Sequence, residues 1–256
     1  FFPAWVLGNC ATVSDVKNAL NNNTIQIHGF ERLETQLPLH FMIQDNTGDC
    51  LLIEFNGGQL VMTPKSQQVS TYEQLDEITK TEQLNGLLTN APFYSEHLNT
   101  LTNYQKLTPQ NTKIKYGQET NGSGFLGLPG DATPPSRFVR AAKMQLSAYL
   151  PETENVPTQI GNDQKAIGFA WQLLQTVTVP YGSITDMNDS TKLADYTQWG
   201  VIRDYTNKHY YFFSAFTPTL HKIDLTKLDY STSSDTKVQI APNDNSWYID
   251  STSELS

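Results

Sequence analysis

Gly127-Leu-Pro-Gly-Asp-Ala-Thr-Pro-Pro-Ser-Arg-Phe-Val-Arg-Ala-Ala142 is a phrase whose two halves make opposite demands on the backbone. Gly127, Pro129 and Gly130 describe a turn, because glycine takes conformations other residues avoid and proline cannot continue a hydrogen-bonded element. The second half has a helical period. Val139, Ala142, Leu146 and Tyr149 share one face, so the spacing predicts a helix over residues 135–150. Proline at or near its start and Ser136 suit the first turn. Arg137 is less expected there, since a cation opposes the dipole at a helix start.

Toward the amino terminus, Gly122-Ser-Gly124-Phe-Leu-Gly127 formally matches a GxGxxG fingerprint. A dinucleotide site would need a strand before it and a helix opening directly on it. A polar loop precedes this one and Leu128-Pro129-Gly130 follows, so it reads as a glycine-rich turn into the helix. Further back, strand-like runs at 40–45, 50–55 and 59–63 are separated by Asn46-Thr-Gly48 and Asn56-Gly57-Gly58, which predicts an antiparallel meander. Thr12-Val-Ser-Asp15 carries a capping pattern and opens a short helix that ends over 21–24.

Toward the carboxy terminus, residues 163–177 predict a second helix. Ala166, Ala170, Leu173 and Val177 face inward, Gln164, Lys165, Gln172 and Gln175 outward, and Val179-Pro180 closes it. Strands are expected over 197–204, 209–216 and 221–225. Strands, two helices and strands again predict an α+β layered fold. The polar stretches 103–121, 151–163 and 183–196 read as long connections, of the kind used for binding, assembly or motion.

Composition narrows the function. With 38% hydrophobic and 11% aromatic residues over 256 positions, the chain can bury a core. A net charge of −9 argues against a general nucleic-acid binder, which needs basic surface. No apolar run approaches the length of a membrane span. The two cysteines, Cys10 and Cys50, form no CxxC, and no histidine stands at metal-ligand spacing around them. Neither a metal nor a cofactor is expected. The cysteines read as small buried hydrophobes, with one disulfide between them left open. The five histidines are scattered, and no GxSxG elbow accompanies them.

Six further phrases accompany the 127–142 stretch in order. They are Trp5-Val-Leu-Gly-Asn-Cys-Ala-Thr-Val13, Leu39-His-Phe-Met-Ile-Gln-Asp45 with Leu51-Leu-Ile-Glu54, and Leu88-Thr-Asn-Ala-Pro92. Val179-Pro-Tyr-Gly182, His209-Tyr-Tyr-Phe-Phe213 and Lys222-Ile-Asp-Leu225 complete the set. Together they resemble the choloylglycine hydrolase family of conjugated bile-salt hydrolases and penicillin V acylases, over essentially the whole chain. The resemblance implies an N-terminal nucleophile hydrolase with a four-layer αββα sandwich. It also implies a cysteine at the start of the mature chain whose own α-amino group acts as base.

Two residues match later parts of that family's site. Asn90, in Leu-Thr-Asn-Ala-Pro, resembles the asparagine that donates into the oxyanion hole. Arg137, in Ser-Arg-Phe-Val-Arg, resembles the arginine beside the nucleophile. A fixed N–H donor stabilises the oxyanion of amide attack by roughly 3 kcal/mol, and a guanidinium favours a thiolate. The bland readings are a turn at Asn-Ala-Pro and a capping or salt-bridging Arg137.

Phe1 cannot be the nucleophile. The resemblance therefore implies that residues 1–256 are the carboxy-terminal portion of a single domain, inactive alone. A segment on the order of 100 residues would bear the cysteine, within the same gene product or as a separate chain. Expected substrates are small N-acyl amides such as conjugated bile acids, penicillin V or acyl-homoserine lactones. The stretch 103–121 occupies the place of an assembly arm and implies a homotetramer. The alternative reading is a non-enzymatic binding protein on the same scaffold.

Overall fold

The computed structural model describes residues 2–28, 39–68, 84, 86–111, 113–115, 118–119, 122–147, 162–185, 194–231 and 251. The chain divides into two compact units, Phe1–Glu152 and Thr153–Ser256. Parts of the expected connections at 103–121 and 183–196, most of 151–163, and Tyr149 lie outside the described residues.

The first unit is built on one antiparallel sheet of order β1-β2-β3, from Phe41–Gln44, Cys50–Asn56 and Gln59–Pro64. Two hairpins hold its register, as the turn residues predict. In the second, Gly57 and Gly58 both take positive φ, the geometry that lets a two-residue loop follow the strand twist. Strand β2 is buried on both faces. Leu51 and Ile53 point into one core with Phe41 and Ile43 of β1, while Leu52 joins the opposite core with Met42.

Helices cover both faces. On one side lie α1 (Phe2–Asn9) and α2 (Val13–Asn21), contributing Phe2, Val6, Val13, Val16 and Leu20. The capping pattern at Thr12 is real: its side chain accepts from Asp15 N–H, and the Asp15 carboxylate accepts from Thr12 N–H. Helix α1 has no counterpart among the sequence expectations. Neither does α3 (Tyr94–Thr102), which lies on the other side with α4 (Pro134–Ser147). The α3 stripe Tyr94, His97, Leu98 and Leu101 is buried, at the i, i+3, i+4, i+7 spacing of an amphipathic helix.

Helix α4 is enclosed more fully than a single apolar face predicts, with residues 138–143 all buried. Phe138, Val139 and Ala142 enter the core, whereas Arg140 and Lys143 are cations that end on carbonyls. Arg140 Nη1 donates to the Pro129 and Asp131 oxygens at 2.8 and 2.6 Å. The turn of the 127–142 phrase is thus tied to its own helix. The GxGxxG match opens no helix, since α4 begins seven residues beyond Gly127.

The core also holds Glu54, whose Oε1 accepts the Tyr94 N–H at 2.8 Å, at the start of α3. The residue preceding α3, Phe93, makes no side-chain cap, so Glu54 takes the place of one from across the sheet. Glu54→Ala is expected to lower unfolding free energy by about 1–2 kcal/mol, as the loss of a helix cap does. Glu54→Gln keeps an acceptor and should cost less; urea midpoints of the two variants check the order.

The second unit carries the meander β8 (Trp199–Asp204), β9 (His209–Ser214) and β10 (Thr217–Asp224), all antiparallel. Its last strand begins earlier than the expected 221. Ala215 and Phe216 form the turn rather than the strand end, and the β9–β10 register shifts between Thr217 and His221. Gly200 of β8 lies opposite Phe213, whose ring covers it and leaves no room for a Cβ. Helix α5 (Asn162–Val177) contacts β8. Ala170, Leu173 and Val177 are half-buried as expected, but Ala166 is exposed, although the first turn of α5 reaches the β8–β9 turn through Asp163, which accepts from Asn207 Nδ2 at 3.2 Å. The described residues also form two two-stranded ribbons, β4–β5 (Lys113–Lys115, Gln118–Glu119) and β6–β7 (Ile184–Thr185, Ala194–Asp195).

Candidate active site

Asn90 and Arg137, 47 residues apart in sequence, are joined by a hydrogen bond. Arg137 Nη2 donates to Asn90 Oδ1 at 2.6 Å. Arg137 stands in the first turn of α4, and its Nε also donates to the Ala132 carbonyl at 3.0 Å. The guanidinium therefore spans the end of its own turn and the loop before α3. Asn90 is exposed and Arg137 half-buried, so the pair lies at the surface of the first unit.

The bond dictates which way the asparagine amide faces. A guanidinium has only donors, so the oxygen of Asn90 must meet it, and the amide nitrogen is turned away. Among the described residues Nδ2 has no hydrogen-bond partner. Engagement of the amide oxygen by a cation polarises the group and makes its N–H a better donor. A neutral donor is thus presented, held from behind by a positive charge. This is more than the sequence implied, which set the two residues in the same site without connecting them.

The loop carrying Asn90 is held from below. Its backbone carbonyl accepts from His97 Nε2 at 2.8 Å, and Thr89 Oγ1 lies 3.2 Å from the same nitrogen. Thr89 Oγ1 donates to the Pro134 carbonyl at 3.0 Å, which ties the loop to the first residue of α4. The Ala91–Pro92 peptide is cis. The loop before Arg137 has its own support. Asp131 accepts from Thr133 and Ser136, and those bonds hold its carboxyl down at about 2. Arg140, a neighbour with no assigned role from sequence, anchors that loop rather than Arg137.

Neither cysteine is prepared for attack. Both are free thiols, so the disulfide left open by the sequence is not formed. Burial, with Asp15 nearby, pushes the Cys10 thiol up, and burial does the same to Cys50 despite its bond to Gln68. A reactive thiol needs the opposite shift. Cys50 is the buried hydrophobe expected, whereas Cys10 is only partly covered. Among the described residues no helix is long and apolar enough to cross a membrane.

Sequence reasoning missed His97, Thr89 and Glu54. The stripe formed by Tyr94, His97, Leu98 and Leu101, with Glu96 in the first turn, was the available signal for α3 and so for His97.

Several known proteins are similar to this chain. The chain is 30% identical over 205 residues to a bile salt hydrolase/transferase from Clostridium perfringens, covering 77% of this chain and 53% of that protein. It is 26% identical over 257 residues to a penicillin V acylase from Pectobacterium atrosepticum, covering 95% and 57%. The chain therefore spans little more than half the length of these relatives. A crystal structure of a mutant conjugated bile acid hydrolase from Clostridium perfringens superposes with a TM-score of 0.65 at 25% identity, over 89% of this chain and 62% of that one. The family described as linear amide C–N hydrolases, choloylglycine hydrolase family, matches residues 1–240. With a match of that extent, the chain belongs to the choloylglycine hydrolase family.

Proposed function

We propose that the complete protein hydrolyses the C–N bond of a linear, non-peptide amide through a cysteine acyl-enzyme. The observation that carries this reading is the 2.6 Å bond that presents the Asn90 amide nitrogen with Arg137 behind it. Attack on an amide carbonyl places negative charge on oxygen, and a preorganised neutral donor is suited to receive it. Arg137 supports the same step twice, by polarising Asn90 and by its positive charge beside the attacking thiolate. The nucleophile is a cysteine outside residues 1–256, a reading supported by the raised thiols of Cys10 and Cys50. The reaction would form a thioester, release an amine and then take up water. The four-layer αββα sandwich and the homotetramer belong to the same proposal.

The substrate class follows the relatives, named for bile salts, conjugated bile acids and penicillin V. The test is incubation of the full-length protein with penicillin V and with glycine- and taurine-conjugated bile salts. Amine release, with an acyl adduct on cysteine trapped by acid quench, is the expected result. Binding of these compounds without release of amine from any of them would favour a non-catalytic scaffold and sink the hydrolase reading.

Within this reading, Arg137→Lys is expected to lower kcat by roughly tenfold, equivalent to a lost charge-assisted hydrogen bond. Lysine keeps the charge, but one ammonium cannot reproduce the planar fork that meets Asn90 and Ala132 together. Steady-state kinetics of the full-length variant checks it.

A further inference from the structure

We infer that His97 is a positioning residue for the Asn90 donor, an inference that rests on the proposed hydrolase reading for its catalytic consequence. The imidazole is fully buried, and its Nε2 lies 2.8 Å from the Asn90 carbonyl oxygen. Its plane stacks on Phe138 at 4.9 Å and 8°. Phe138 is the residue next to Arg137. One buried ring therefore fixes the backbone of Asn90 relative to the helix turn that supplies the Arg137 guanidinium.

The neighbours of the ring decide its protonation. The Asn90 carbonyl is an obligate acceptor. Thr89 Oγ1 gives its single proton to the Pro134 carbonyl, so toward His97 it too is an acceptor. Nε2 must carry the hydrogen. Nδ1 is then a bare lone pair, buried and without a partner among the described residues. Protonating it would place an unsatisfied N–H and a charge in the core, and burial accordingly holds the His97 pKa below its usual value. The ring acts as a permanent one-sided donor rather than as a titrating base. A buried nitrogen left without a partner is costly for a packing residue. Leucine would fill this space without that cost, which argues that the Nε2–H bond is the reason for histidine here.

The consequence is geometric. Displacing a catalytic group by about 1 Å costs about 10²-fold in rate. His97→Leu in the full-length protein is expected to lower kcat about 10²-fold with KM little changed. His97→Gln places an amide N–H near the position of Nε2 and should recover most of the lost kcat, even if it is less stable. Parental kcat in His97→Leu overturns the inference. So does a joint loss of kcat and KM that glutamine does not rescue, since that is damage to packing alone.

A second arm is independent of turnover. Nitrogen-15 spectra of the parent should show His97 protonated on Nε2 and bare on Nδ1; a proton on Nδ1 overturns the inference even if His97→Leu does not fold. The side-chain amide signal of Asn90, assigned by its loss in Asn90→Asp, should move in His97→Leu and stay in His97→Gln. If no N-acyl amide is hydrolysed by the parent, the hydrolase reading fails while these spectra still decide whether His97 positions Asn90. An Asn90 signal identical in parent and His97→Leu rejects the positioning role.

Discussion

Asn90→Ala in the full-length protein is expected to lower kcat by roughly 10²–10³ while leaving KM close to its parental value. The separation follows from where the donor acts. A ground-state amide carbonyl is a weak acceptor, and the oxyanion that replaces it is a strong one, so the interaction appears mainly in the transition state. Alanine also leaves Arg137 Nη2 without the oxygen it now meets at 2.6 Å, on a side chain still held at Ala132. Asn90→Asp makes the sharper comparison. A carboxylate would pair more strongly with Arg137 but carries no N–H, so it should be at least as impaired as alanine despite its better anchor. Initial rates over a range of penicillin V or conjugated bile-salt concentrations separate the terms. If Asn90→Ala keeps near-full kcat with its fold intact, Asn90 is not the donor.

Phe138→Ala is expected to destabilise the first unit by about 3–5 kcal/mol, the usual cost of emptying a large buried aromatic site. Phe138 is 1% exposed. Its ring meets Tyr94 edge-on at 5.8 Å and His97 face to face, so among the described residues both ring contacts of α3 with α4 are made by it. The site cannot refill easily, because its neighbours are constrained. Tyr94 belongs to the turn whose N–H is held by Glu54, and His97 is bonded to the Asn90 carbonyl. Phe138→Leu keeps most of the volume and should cost well under half as much. Denaturant midpoints give the stabilities, and a Phe138→Ala value within 1 kcal/mol of Phe138→Leu would contradict a rigid site. Because the ring also backs His97, the alanine variant should lose activity in conditions where it is still folded.

The parts of this fold legible in the sequence are those whose signals are local. The first meander reads directly because Asn46-Thr-Gly48 and Asn56-Gly57-Gly58 mark each reversal, and apolar residues fill the runs between them. Helix α2 reads from its capping box, and α4 from its period. Helix α3 does not, because two of the four residues on its buried face, Tyr94 and His97, are of polar type, and polar residues interrupt the rest. The start of β10 is hidden by Pro218 and the irregular pairing behind it. Asn90 and Arg137 could be nominated only through resemblance to a family. Their bond could not be read at all, since nothing local distinguishes one asparagine as the partner of an arginine 47 residues away. The same holds for Glu54, which caps a helix 40 residues further on. A carboxylate in the middle of an apolar strand signals burial with a purpose, but not which N–H it serves.

Strand β2 has a consequence for how the length of this chain can change over evolutionary time. Its alternate residues belong to opposite sides, with Leu51 and Ile53 toward α1 and α2 and Leu52 toward α3 and α4. Insertion or deletion of one residue within it would exchange the two sets, because the side-chain period of a strand is two. Hydrophobicity alone would tolerate the exchange, since the residues on both sides are aliphatic, Leu51 and Ile53 on one and Leu52 on the other. Glu54 would not. A shift of one position would turn its carboxylate from the Tyr94 N–H into the apolar contacts of Val16 and Leu20. The strand is therefore indel-intolerant through a single polar residue, and length variation in this region should be confined to the Thr47–Gly48 and Gly57–Gly58 loops, which lie outside both cores.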